Sequence, residues 1–154
     1  MSFTTKAIIA VFICLGLGFA SGLVGSPMSD WYQNLVKPPF QPPPWVFGPA
    51  WTLLYTMMGI AITYVWNSEV SPKRSKAIKL FLVQFLFNIS WSPLFFGAQN
   101  PMASLIVIVI MWVLIALTIS AFYRIKPLYG YLLIPYLCWV SFATVLNASI
   151  VYLN

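Results

Sequence analysis

The hydrophobic and polar positions divide the chain into five long apolar runs separated by short polar breaks. The runs cover residues 7–25, 47–66, 77–96, 102–123 and 130–152. A helix needs about 20 apolar residues to cross a hydrocarbon core, so each run predicts one membrane-spanning helix. The breaks carry turn chemistry: Pro27 and a proline-rich stretch, then "NSEVSPKRSK", "GAQNP" and "RIKP". The pattern predicts an all-α membrane protein, a five-transmembrane-helix bundle forming one domain over residues 1–154. A loop rich in tryptophan and proline joins the first two spans over residues 26–46. The first run follows Lys6 and ends in small residues, as a signal peptide would, but its length suits a span better than a short targeting segment.

Composition sharpens this picture. Of 154 residues, 61% are hydrophobic and only 6% are charged, and the mean hydropathy is +0.89. Soluble domains carry about a quarter charged residues, so a water-facing surface is excluded. Lys6, Lys73, Arg74, Lys76, Lys79, Arg124 and Lys126 all fall on the N-terminal side of a five-span path, and Lys37 alone falls on the other. The positive-inside rule therefore predicts a cytoplasmic N-terminus and an outward C-terminus, with a bacterial cell membrane as the expected location. The net charge of +6 comes from these flanks and gives no track for a phosphate backbone, so nucleic acid is not an expected partner; membrane lipid is. Cys14 and Cys138 lie inside apolar runs and form no CxxC pair, which reads as packing. The chain has no histidine, and with it go the commonest metal ligand, haem axial ligand and general base. No metal site is expected.

Three stretches break the apolar monotony. The connector "WYQNLVKPPFQPPPWVFGPAW" holds three of seven tryptophans and six of twelve prolines. Its prolines fix φ and cannot donate hydrogen bonds. Trp31, Tyr32, Phe40, Trp45, Phe47 and Trp51 supply large rings with polar edges. An interfacial aromatic belt needs only scattered rings; a stiffened aromatic loop fits a lid over the mouth of a bundle, held at little entropic cost. In the third run, Gln84, Asn88 and Ser92 recur every four residues and share a helix face, with Trp91 and Phe95 on or beside it and Pro93 set to bend the helix. Polar side chains within a span face the bundle interior, either as interhelical hydrogen bonds or as the polar groups of a pocket. In the fifth run, Tyr136, Trp139, Ala143, Leu146 and Asn147 fall on one stripe that mixes rings, a small gap and an amide. Together the three stretches predict an aromatic cavity roofed by a stiff loop, suited to flat hydrophobic ligands oriented by a few polar groups. The first run also carries a ladder of small residues, Ala10, Cys14, Gly18 and Gly22, which reads as packing within the bundle or as a homodimer seam.

The stretches "WYQNLVKPPFQPPPWVFGPAWTLLY", which ends at Tyr55, "NISWSPLFFG" and "PYLCWVSFATVLN" closely resemble the TspO/MBR family, the tryptophan-rich sensory proteins, whose mammalian member is the translocator protein or peripheral-type benzodiazepine receptor. The resemblance runs through all five spans. It implies a five-helix bundle, often dimeric, whose cavity beneath the first loop takes porphyrins, haem-related tetrapyrroles, sterols and benzodiazepine-type drugs. The resemblance also implies that Trp51 and Trp139 stand at motif positions associated, in some bacterial members, with light-dependent porphyrin breakdown. Tyr32, Pro42, Asn88, Trp91, Ala143 and Asn147 match the family's other cavity positions, and Trp31, Tyr55, Phe95, Tyr136 and Leu146 join them and the two tryptophans as candidate ligand-binding residues. The mammalian C-terminal sterol motif needs Lys or Arg after its tyrosine, whereas Tyr152 is followed by Leu153 and Asn154. Sterol binding through that motif is not expected. Leu117, Tyr123 and Lys126 fit the same loose pattern elsewhere.

Three functions compete on these residues. A receptor or sensor for tetrapyrroles is favoured, with porphyrin or haem as ligand and no cofactor required. Porphyrin-degrading enzyme and passive transporter are the alternatives. Asp30 and Glu69, the only carboxylates, lie in loops. No nucleophile–base pair is visible, and no intramembrane acid or histidine is available for proton-coupled carriage. Degradation would have to use the light absorbed by the porphyrin itself, with Trp51 and Trp139 as radical partners.

Overall fold

The computed structural model describes all 154 residues. It contains helices and turns only: α1 (Phe3–Gly22), α2 (Asp30–Gln33), α3 (Phe47–Trp66), α4 (Pro72–Ser92), α5 (Pro101–Ile125), α6 (Pro127–Tyr131) and α7 (Ile134–Leu153). The five long helices, with the short turns that extend three of them, are each long and apolar enough to cross a membrane. The protein is a five-helix membrane bundle.

Capping chemistry, more than hydropathy, sets where the helices start. Ser2 accepts from the Thr5 N–H and starts α1 at Phe3, four residues ahead of the unbroken apolar run that begins at Ala7. Ser71 and Asn100 cap α4 and α5 in the same way, each followed by a proline at the first helical position, where its missing N–H costs nothing. The α4 start at Pro72 brings Lys73, Arg74 and Lys76 into the helix, a polar opening turn that apolar runs do not reveal. At its other end α4 passes into a π-helical turn, Pro93–Gly97, in which the Ala98 N–H reaches back to the Pro93 carbonyl at 2.8 Å. The bend expected at Pro93 is this widened turn. The apolar run predicted to reach residue 25 stops being helical at Gly22. Gly25 lies against the π turn, where a Cβ would come within 2.6 Å of the Gly97 backbone N.

The long helices form a ring. α1 packs along α3 and meets α4 over a shorter stretch, α4 packs along α5, and α5 along α7. α3 and α7 close the ring, but their backbones hardly meet. Glycine makes the tightest approach possible: a Cβ on Gly59 would lie 2.6 Å from Val11 Cα, so α1 and α3 touch backbone to backbone there. In the small-residue ladder, Cys14 and Gly18 are buried inside the bundle, Gly18 directly against the Tyr55 ring.

The bundle is inverted relative to a soluble domain. Ile8, Phe12, Leu17, Leu82, Leu86, Ile106 and Val113 point outward, while Thr63, Gln84, Asn88, Ser104, Thr118 and Asn147 are buried. Lipid solvates the first set, and interhelical or intrahelical hydrogen bonds satisfy most of the second. The dry core, which includes Val65, Ala77, Phe81, Phe122 and Leu133, fills one end. The other end stays hollow.

A roofed aromatic cavity as the candidate functional site

The hollow end is a cavity of about 360 Å³, a size typical of small-molecule sites. The lid covers it. Within the lid, Ser29 caps the short α2, and Pro43 and Pro44 set up a 3-10 turn, Pro44–Val46, that leads directly into α3. Gln33 Nε2 donates to the Pro27 carbonyl at 2.7 Å, and Gln41 Nε2 donates to the Tyr32 hydroxyl at 3.0 Å. The Asn154 amide grips the lid backbone from α7: the Val36 N–H donates to its Oδ1 at 2.9 Å, and its Nδ2 donates to the Val36 carbonyl at 2.9 Å. Lys37 places its Nζ over the Tyr32 ring at 4.6 Å. Burial pushes the Tyr32 phenol above its ordinary pKa, with the Gln41 hydrogen bond acting in the opposite sense.

Aromatic rings make most of the wall. On α3, Trp51 stacks on Tyr55 at 5.3 Å. It meets Trp139 of α7 edge to face at 6.4 Å. On α4 and its π turn, Trp91 stacks on Phe95 at 5.0 Å, and Phe96 meets Tyr32 of the lid at 5.2 Å. The i, i+4 spacing of Trp51 with Tyr55, and of Trp91 with Phe95, is what puts each pair on one helix face. Small residues leave the space open: Gly18 and Gly22 from α1, Ala143 from α7.

Two hydrogen-bonded clusters hold the rings. Tyr55 donates to Asn88 Oδ1 at 2.7 Å, Asn88 Nδ2 donates to the Tyr136 hydroxyl at 2.7 Å, and Tyr136 donates to Gln84 Oε1 at 2.8 Å. Above it, Trp91 Nε1 donates to Asn147 Oδ1 at 3.0 Å, while Asn147 Nδ2 donates to the Pro101 carbonyl at 2.9 Å. Three buried polar atoms have no partner: Gln41 Oε1, Gln84 Nε2 and Trp139 Nε1. No Asp, Glu, Lys or Arg lines the cavity, and nowhere do three His, Cys, Asp or Glu side chains gather. Such walls offer ring contact and shape, with Asn88, Gln41 and Ser92 as their polar points.

Tyr32, Trp51, Tyr55, Asn88, Trp91, Phe95, Trp139, Ala143, Leu146 and Asn147, all singled out from the sequence, line this one cavity. Three others stand behind it. Trp31 packs edge-on against Phe95 at 5.8 Å, supporting the wall from outside. Pro42 lies in the lid between Gln41 and Pro44, which reach the cavity where it does not. Tyr136 is 1% exposed and sits beneath Asn88, one turn deeper on α7 than Trp139. Phe47, named from the sequence as a ring of the connector, also lines the space, as do Gln41, Phe96, Ile108, Met111 and Ile150, which the sequence reading overlooked. Gln41 was legible as the one amide among the lid prolines. Ile108 and Met111 sit in an unbroken apolar run and carry no signal of their facing.

The family model described as the TspO/MBR family matches residues 10–153. The chain is 43% identical to the Tryptophan-rich protein TspO of Chlorobaculum tepidum, over 97% of this chain and 98% of that protein. It is 40% identical to a Tryptophan-rich sensory protein of Cereibacter sphaeroides, over 81% of this chain and 77% of that one. It is 38% identical to the Translocator protein of Homo sapiens, over 86% and 80% of the two chains.

Proposed function

This chain belongs to the TspO/MBR family, and from that premise we propose that it is a membrane receptor that binds flat apolar tetrapyrroles, porphyrins or haem-related macrocycles, beneath its lid. The observation that carries this reading is the pairing of Trp51 and Trp139, set nearly at right angles across one uncharged cavity with Tyr55 stacked on the first. A planar macrocycle gains ring contacts on such walls beyond its buried area. The cavity offers no cation for carboxylates, so a porphyrin's acidic side chains would lie toward the mouth and its ring inside. The names of two relatives, a sensory protein and a translocator protein, agree with a receptor role. The asymmetry of basic residues supports a cytoplasmic N-terminus, and the bacterial relatives support a bacterial cell membrane as the location.

Purified protein tests this reading through its absorption spectrum and mass spectrometry after expression in cells that make porphyrin. A co-purifying tetrapyrrole is expected. A protein that neither carries nor takes up one in titration would refute it. The Trp51–Trp139 adjacency also favours a second reading, in which photo-excited porphyrin activates dissolved dioxygen, the activated oxygen oxidises and opens the macrocycle, and these indoles serve as radical partners beside it. Loss of porphyrin absorbance in light but not in darkness separates that activity from binding alone.

A further inference from the structure

We propose that the ligand enters and leaves sideways from the bilayer, through the seam between α3 and α7, and not from water through the lid. Phe47, Trp139 and Phe142 form the gate. The inference rests on the reading of the cavity as a site for a planar apolar ligand.

Backbones pack closely along three sides of the helix ring, α1–α3, α4–α5 and α5–α7, meet over a shorter stretch between α1 and α4, and hardly meet between α3 and α7. The inner end of this last side is pinned, because Tyr64 of α3 stacks on Tyr129 of α6 at 5.0 Å. At the level of the cavity it is closed by side chains alone. Phe47 meets Trp139 at 5.9 Å, Trp139 meets Phe142 at 5.9 Å, and Phe142 meets Phe40 of the lid at 6.4 Å. Opening this side needs rotamer changes, with no helix displaced. The closed position also leaves the Trp139 N–H buried without an acceptor. That unmet donor destabilises the closed gate relative to an open one in which the indole finds a partner.

The lid is fastened more firmly. Lifting it would break both Asn154–Val36 hydrogen bonds and separate Gly25 from the Phe96–Gly97 backbone it fits against. Chemistry outside the seam points the same way. Neither α3 nor α7 contains a charged residue. Leu53 and Val145 stand exposed on these two helices, at 59% and 53%. A flat apolar molecule dissolved in lipid reaches the gate without passing a charge.

The test is stopped-flow quenching of tryptophan fluorescence by protoporphyrin IX, with the protein in phosphatidylcholine vesicles. Phe142 does not line the cavity, so Phe142→Ala removes a support of the gate and leaves the site intact. Association and dissociation should both accelerate by about tenfold while the dissociation constant stays within about twofold, since loss of two ring contacts lowers the barrier and not the bound state. Asn154→Ala loosens the lid and should leave both rates unchanged. In the parent protein, association should follow the mole fraction of porphyrin in the bilayer when vesicle lipid is varied. The proposal is overturned by rates that respond to Asn154→Ala and not to Phe142→Ala, by rates unchanged in both, or by association that follows the aqueous concentration. Should Phe142→Ala fail to fold, the lipid-dilution result decides alone. Absence of quenching at equilibrium in the parent would instead overturn the site reading, and this inference with it.

Discussion

The indole N–H of Trp91 and the side-chain carbonyl of Asn147 meet at 3.0 Å, tying α4 to α7 across the cavity wall. The bond fixes the plane of the Trp91 ring, and through the stack at 5.0 Å it fixes Phe95 as well. Asn147 is 1% exposed, and so is cut off from water, as is Ser104, whose hydroxyl meets the same Oδ1 at 3.0 Å. Asn147→Leu should lower stability by about 1–3 kcal/mol, the cost of leaving a buried donor or acceptor unmet. Unfolding by denaturant in detergent micelles measures this, and parental stability would show that the pair contributes nothing.

Two glycines make opposite predictions. A Cβ on Gly59 would meet the Val11 backbone, whereas one on Gly22 would meet nothing within 4 Å. Gly59→Ala should force α1 and α3 apart and cost about 1–3 kcal/mol. Gly22→Ala should stay within about 0.5 kcal/mol of the parent. Equal midpoints for the two variants in thermal unfolding would contradict the packing described.

Ala143 leaves space between the Trp139 and Asn147 levels of α7. Ala143→Leu should fill part of the cavity and weaken porphyrin binding by about tenfold, or about 1.4 kcal/mol, with little change in the unfolding midpoint. Unchanged affinity in a folded variant would place the ligand elsewhere.

The five spans were legible because each is an unbroken apolar run. Their ends were less so. Ser2, Ser71 and Asn100 set the helix starts by hydrogen bonding, and the basic opening turn of α4 hides in a polar break. Facing was legible wherever polar or aromatic residues recur at helical spacing, as in Asn88–Ser92 and Trp139–Ala143. Depth was not: Tyr136 shares the stripe of Trp139 yet lies under Asn88, because periodicity fixes an angle about the helix axis and not a distance from the cavity floor. Met111 faces the cavity from α5, where every neighbour is apolar and no contrast marks one side. The seam between α3 and α7 is a relation between distant elements and leaves no local trace.

The lid prolines act through the unbound state. Pro43 and Pro44 shape the turn that leads into α3, and Pro42 joins it to Gln41. Replacing all three with glycine should spare the long helices but cost about 0.4–1 kcal/mol per residue to reorder the loop. Affinity should fall by about tenfold, as 1.4 kcal/mol corresponds to that factor, with helical circular dichroism unchanged. Parental affinity would reduce the loop to an interfacial belt.

The central claim is that a planar tetrapyrrole lies against Trp51 and Trp139. Its most direct measurement is tryptophan fluorescence titrated with porphyrin in the parent and in the Trp51→Phe/Trp139→Phe double variant, with binding followed independently by porphyrin absorbance. The account predicts saturable quenching in the parent and a clearly smaller fractional quenching in the double variant, which keeps rings in place, still binds and retains Trp91 in the cavity wall. Equal fractional quenching in the two proteins at equal occupancy would put the ligand near the other indoles and contradict the account.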